Sequence, residues 1–129
     1  AHRGVKVHLV IPQVSDQYFV DYVQGWYITR ALKSGIRIYG YKPSFYHVKM
    51  AVIDDQWATV GSSNLDNLSF LFNHEINLAS SNPTFIDSVK RHFERDITQS
   101  EELIYEKWQK RFFLVKLIEV LTWPFHKVF

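Results

Sequence analysis

His47-Val48-Lys49-Met50-Ala51-Val52-Ile53-Asp54, followed after a short interval by Gly61-Ser62-Ser63-Asn64, is the stretch whose reading decides the fold. The first segment alternates apolar and polar residues, the period of a half-buried strand. Asp55-Gln56 supplies the turn, and Trp57-Ala58-Thr59-Val60 runs back as the second arm of a hairpin. Written as a pattern, the two segments read H-x-K-x4-D-x6-G-S-x-N. Six fixed residues in that register arise by chance roughly once in 10⁸ starting points.

The spacing has a chemical sense of its own. Residues two apart on a strand share a face, so His47 and Lys49 project the same way. An imidazole beside an ammonium suits a phosphate group: one attacks or moves a proton, the other neutralises oxygen charge. Gly61 permits close backbone approach, and Ser62 and Asn64 add a hydroxyl and an amide. If a helix begins there, its free N–H groups favour an anion further. Asp54 has the opposite parity and points away on a straight strand, which makes it a brace for the hairpin, though it stays among the catalytic candidates as a motif member. Glu75 shares a face with Asn77 at the start of a strand, and a carboxylate there needs a partner. The ring N–H of His47 is the expected one.

Outward from the motif, residues 5–11 read as a strand stopped by Pro12. Ser15 or Asp16 caps a helix over 16–33, with Phe19, Val23, Trp26 and Tyr27 on its buried face and Gly35 after it. Ile36 to Tyr41 is a short strand, Leu65 to Phe72 a short helix, and Glu75 to Ser80 a returning strand. Asn82 with Pro83 is a strong helix start, and Ile86, Val89, Phe93 and Ile97 form its apolar stripe. Strands alternating with helices imply an α/β fold, a mixed sheet flanked by helices. Residues 1–98 are expected to be one domain, and 99–129 a C-terminal amphipathic aromatic helix, with its helical stretch over about 101–122.

Composition narrows the function. The chain has 129 residues, 47% of them apolar and 16% aromatic, enough for one domain with a modest core. A net charge of +2 gives no overall basic field, so no nucleic acid partner is expected. There is no cysteine, hence no disulfide and no thiolate metal site. His2, His8, His74, His92 and His126 lack ligand spacing, and neither metal nor cofactor is called for. Ala1-His2-Arg3-Gly4 runs straight into a strand, the opening expected of a fragment of a longer chain.

The motif resembles the signature of the phospholipase D superfamily. Gly4-Val5-Lys6-Val7, Ile11-Pro12, Gly35 to Tyr39, Trp57 to Asp66 and Asn73 to Asn77 are similar to the C-terminal half of bacterial cardiolipin synthases. Those enzymes carry two such motifs, packed about a pseudo-two-fold axis, and only one copy stands here. The resemblance implies half of a two-domain fold, with the other half of the parent chain or a second copy as partner. It also implies metal-independent phosphatidyl transfer through a phosphohistidine, with His47 as nucleophile or general acid and base, and Lys49, Ser62 and Asn64 on the phosphate. In that family an acidic residue after the motif, Glu75 here, holds the histidine. The expected substrate is an anionic phospholipid, phosphatidylglycerol, at the cytoplasmic side of the bacterial inner membrane.

Two other readings stand beside it. The motif fixes phosphodiester chemistry but not the alcohol, so a phospholipase D or a nuclease acting as a dimer is the alternative, with weak net charge and a hydrophobic tail counting against nucleic acid. A non-catalytic lipid-binding module is the third. The tail, with Trp108, Phe112, Phe113, Trp123 and Phe125 among interleaved Lys and Arg, is too short and charged to span a bilayer. It suits either the membrane surface or packing on the domain.

Overall fold

The computed structural model describes residues 1–13, 18–63 and 74–111, with the backbone alone described over 18–23. The expected helix at 65–72, the capping residues Ser15 and Asp16, and the aromatic tail beyond 111 lie outside them. In chain order the elements are β1 (His8–Pro12), α1 (Tyr18–Lys33), β2 (Arg37–Tyr41), β3 (Met50–Ile53), β4 (Trp57–Gly61), β5 (Asn77–Ser80), α2 (Pro83–Thr98), β6 (Ser100–Glu102) and α3 (Tyr105–Gln109). The α/β class stands, but the strands form two three-stranded sheets rather than one. Among the described residues, 1–46 with 99–111 make one compact unit and 47–98 another.

In the first unit β1 pairs parallel to β2, and β6 adds antiparallel on its far side. Pro12 does not stop β1 as the sequence suggests. It lies inside the strand opposite Tyr41, because among the described residues β1 is an edge, and one side of an edge strand needs no N–H donor. The strand also starts later than expected, at His8. α1 ends where Gly35 takes a left-handed φ of 82° and Ile36 N–H returns to the carbonyl of Ala31. Ile38 is fully buried at the centre of the sheet. Trp26 is half-buried, but Tyr27, read from the sequence as core, is 43% exposed.

The expected helix over 101–122 is corrected at its start. Residues 100–102 are a strand, Leu103 N–H bonds the Ile38 carbonyl at 2.8 Å, and a five-residue helix begins only at Tyr105. Side-chain pairing fixes this strand to β2. The Arg37 guanidinium donates to both carboxylate oxygens of Glu102 at 2.8 Å, and Lys42 pairs with Glu101. The hydrogen bond from Arg37 holds the Glu102 carboxyl below the usual glutamate range. Trp108 of α3 donates its indole N–H to Thr29 of α1 at 2.9 Å, so the aromatic start of the tail packs on this unit.

The second unit is the antiparallel sheet β3-β4-β5 with α2 on one face. Asn82 caps α2 as its sequence suggests, its Oδ1 accepting from the N–H groups of Thr84 and Phe85. Ile86 and Val89, on the apolar stripe of α2, are buried against Ala58, with Met50, Val52 and Phe85 packed around them. The even-numbered residues of β3 therefore face the helix. The hairpin turn uses two successive left-handed residues, Asp54 (φ 49°) and Asp55 (φ 53°), closed by Gln56 N–H to the Ile53 carbonyl at 3.0 Å. Asp tolerates that conformation better than most residues. Lys90 of α2 ties the turn down through Asp55 at 2.8 Å.

Candidate active site

Every described member of the motif lies in the second unit. The β3–β4 ladder runs past the end of β3, since Gly61 N–H donates to the Lys49 carbonyl at 3.1 Å. Gly61 in turn pairs with Asn77 on β5. Lys49, Gly61 and Asn77 thus form one cross-strand row, and opposite residues of an antiparallel sheet share a face. Met50 and Val52 face α2, so by alternation Lys49 lies on the other side of the sheet. His47, two residues earlier, keeps the parity of Lys49 and is exposed at the strand approach.

Ser62 continues the β4–β5 ladder by donating its N–H to the Ile76 carbonyl at 3.0 Å. Its hydroxyl accepts from Ile76 N–H at 3.0 Å and donates to Glu75 Oε2 at 2.5 Å. Glu75 thus finds a partner for its Oε2 in the Ser62 hydroxyl. Asp54 sits exposed in the hairpin turn at the opposite end of β3 from Lys49. Its left-handed φ gives it a conformational reason to be there. Asn64 lies outside the described residues.

Two residues to which the sequence reading assigned no role join this cluster. Asn77 reaches across Gly61 and donates Nδ2 to Ser63 Oγ at 2.6 Å, while its Oδ1 faces Ser63 N–H at 3.4 Å. The shared parity of Glu75 and Asn77 was the available signal. It also explains Gly61: a Cβ there would stand 1.9 Å from Asn77 Oδ1 and 2.4 Å from the Ile76 carbonyl oxygen. The close approach that this glycine allows is first of all that of the neighbouring strand. A concavity of about 400 Å³ on α2, lined by Ser88, Arg91, His92 and Arg95, contains no motif residue. Among the described residues no group of His, Asp and Glu is placed to hold a metal ion.

A hydroxyl, an ammonium-bearing strand and an imidazole-bearing approach thus lie toward one end of a small sheet. The family model for the cardiolipin synthase PLD-like domain matches residues 1–97. The chain therefore belongs to the cardiolipin synthase branch of the phospholipase D superfamily.

Its relatives include the probable cardiolipin synthase YwiE of Bacillus subtilis, 34% identical over 111 residues, covering 86% of this chain and 22% of that protein. Cardiolipin synthase 1 of Bacillus cereus is 35% identical over 119 residues, covering 92% and 23%. Cardiolipin synthase A of Pseudomonas entomophila is 36% identical over 104 residues, covering 81% and 22%. The chain thus spans between a fifth and a quarter of the length of the curated relatives it matches. In fold it is similar to the crystal structure of Nuc, a phospholipase D family member from Salmonella typhimurium. The TM-score is 0.64 at 23% identity, with 78% of this chain and 66% of that one covered.

Proposed function

We propose that this chain supplies one motif-bearing half of an enzyme that makes cardiolipin from phosphatidylglycerol. The observation that carries the reading is the cross-strand assembly of Lys49, Gly61 and Ser62 at one end of the sheet, two residues from His47. In this reading one motif histidine attacks phosphorus, and a phosphorus–nitrogen bond replaces the bond to the glycerol head group. The departing glycerol takes its proton from the other histidine. A hydroxyl of a second phosphatidylglycerol then gives its proton back to that histidine as it attacks phosphorus, releasing cardiolipin and the first histidine. Lys49, Ser62 and Asn64 bind the phosphate oxygens, Ser62 by turning its hydroxyl proton from Glu75 to the substrate.

The second histidine comes from another half, either of the parent polypeptide or of a second copy. The membrane is the natural place for such a lipid exchange. Among the described residues no helix is long and apolar enough to cross it.

The test uses the full-length polypeptide carrying this chain, with labelled phosphatidylglycerol. Labelled cardiolipin from the wild type, lost in folded His47→Ala and Lys49→Ala, is the expected result. Release of phosphatidic acid alone would make the enzyme a phospholipase. Unchanged activity in both variants would leave a non-catalytic module.

A further inference from the structure

We infer that Asn77 is a positioning residue of this site, holding the Ser62-Ser63 segment in its working register from across the glycine at 61. The inference rests on the reading of His47, Lys49 and Ser62 as the phosphate-handling groups. Ser62 and Ser63 lie at the end of β4, with Ser62 exposed, so burial in a core does not fix them. Hydrogen bonds to the segment entering β5 do. Ser62 is held by its N–H to Ile76 O and by its hydroxyl to Ile76 N–H and Glu75. Ser63 is held by Asn77, through Nδ2 to its hydroxyl and Oδ1 facing its N–H.

The chemistry of the position is demanding. One short side chain must offer a donor and an acceptor side by side, and a carboxamide does so. It must also cross the strand between, which only a residue without Cβ permits, since a Cβ at 61 would stand 1.9 Å from Oδ1. Gly61 and Asn77 are paired across the ladder, so the reach of Asn77 depends on the glycine. Ser63 is covalently next to Ser62 on one side and to the candidate Asn64 on the other. Releasing it frees the chain that carries both groups. Misplacement of a catalytic group by about 1 Å can cost on the order of 100-fold in rate.

A residue that only positions groups acting in the transition state lowers kcat and leaves KM nearly unchanged. The experiment measures kcat and KM for cardiolipin formation by the full-length polypeptide in phosphatidylglycerol micelles. Asn77→Ala is expected to lower kcat roughly 30-fold with KM within about threefold. Ser63→Ala, which removes only the 2.6 Å bond, is expected to lower kcat less. The double variant should be no worse than Asn77→Ala, because both changes break one unit. Asn77→Asp should retain most activity, since its carboxylate accepts from both the N–H and the hydroxyl of Ser63.

A wild-type kcat in Asn77→Ala, a raised KM at unchanged kcat, or losses that multiply in the double variant would overturn the positioning role. If Asn77→Ala does not fold, Ser63→Ala decides: a lowered kcat supports the role and a wild-type kcat overturns it. His47→Ala separates the two levels. An active His47→Ala removes the site reading and this role with it. An inactive one beside a normal Asn77→Ala removes this role alone.

Discussion

The hydroxyl of Ser62 donates to the carboxylate of Glu75 at 2.5 Å and accepts from the backbone N–H of Ile76 at 3.0 Å. This contact joins the motif turn to the segment entering β5, and in it the hydroxyl proton points at Glu75, so Ser62 reaches a phosphate oxygen by turning that proton away from the carboxylate. A short bond to a charged acceptor is among the stronger hydrogen bonds a protein makes.

Breaking that contact should affect activity more than stability. Ser62→Ala and Glu75→Ala are each expected to lower cardiolipin formation by the full-length polypeptide by about 10- to 100-fold. Because the bond is exposed, the loss of folding stability should stay near ~1 kcal/mol. Denaturant melts beside rate measurements separate the two effects.

Lys49 is expected to act through its charge. Lys49→Ala should cost on the order of 100- to 1,000-fold in kcat, the scale of losing one stabilising donor at a charged transition state. Lys49→Arg, which keeps the charge but changes the reach, should recover part of it. Steady-state kinetics at saturating phosphatidylglycerol read both.

Asp54 should behave as a turn residue. Asp54→Asn, which keeps the tolerance for positive φ, is expected to retain activity within about threefold. Asp54→Val is expected to lower stability by about 1–2 kcal/mol, since a β-branched residue resists φ 49°. A thermal melt and an activity assay on each variant check this.

The Arg37–Glu102 pair gives a pH signature in the first unit. Its hydrogen bond lowers the Glu102 carboxyl below the ordinary value of 4.5, so folding favours the ionised form. That contribution is present above the unfolded value and is lost as pH falls through the folded one. Glu102→Gln should therefore melt lower than wild type at neutral pH, and the gap should narrow as the pH falls below the ordinary glutamate value. Melting curves at the two pH values suffice.

In the second unit the core is small, so single losses matter. Ile86, 4% exposed against the fully buried Ala58, is expected to cost about 2–4 kcal/mol when changed to Ala. Asn82→Ala, which removes the acceptor for Thr84 and Phe85, should cost about 1 kcal/mol. Urea unfolding of both variants tests the difference.

Much of the second unit is legible in the sequence because its signals are local. The hairpin shows in alternation and a turn, α2 in Asn82-Pro83 and an apolar stripe, and the H-x-K and G-S-x-N segments in their spacing. The first unit is harder to read. Residues 100–102 look helical because Glu-rich stretches favour helix, yet Arg37 and Lys42, some sixty positions earlier, supply the charges that draw them onto β2. Pro12 is read as a stop because nothing local says that its strand is an edge. The same limit applies at the site. Parity places Glu75 and Asn77 on one face, but only the register of β4 against β5 reveals that Asn77 meets Ser63 over Gly61.

The central claim is that His47 serves a covalent exchange of the alcohol on a phosphatidyl group. Isotope exchange tests it most directly. Folded full-length polypeptide is incubated with unlabelled phosphatidylglycerol and labelled glycerol, and label entering phosphatidylglycerol is measured. A reversible phosphatidyl-enzyme predicts steady incorporation by the wild type and none by His47→Ala. Incorporation at the wild-type rate in His47→Ala would contradict the account.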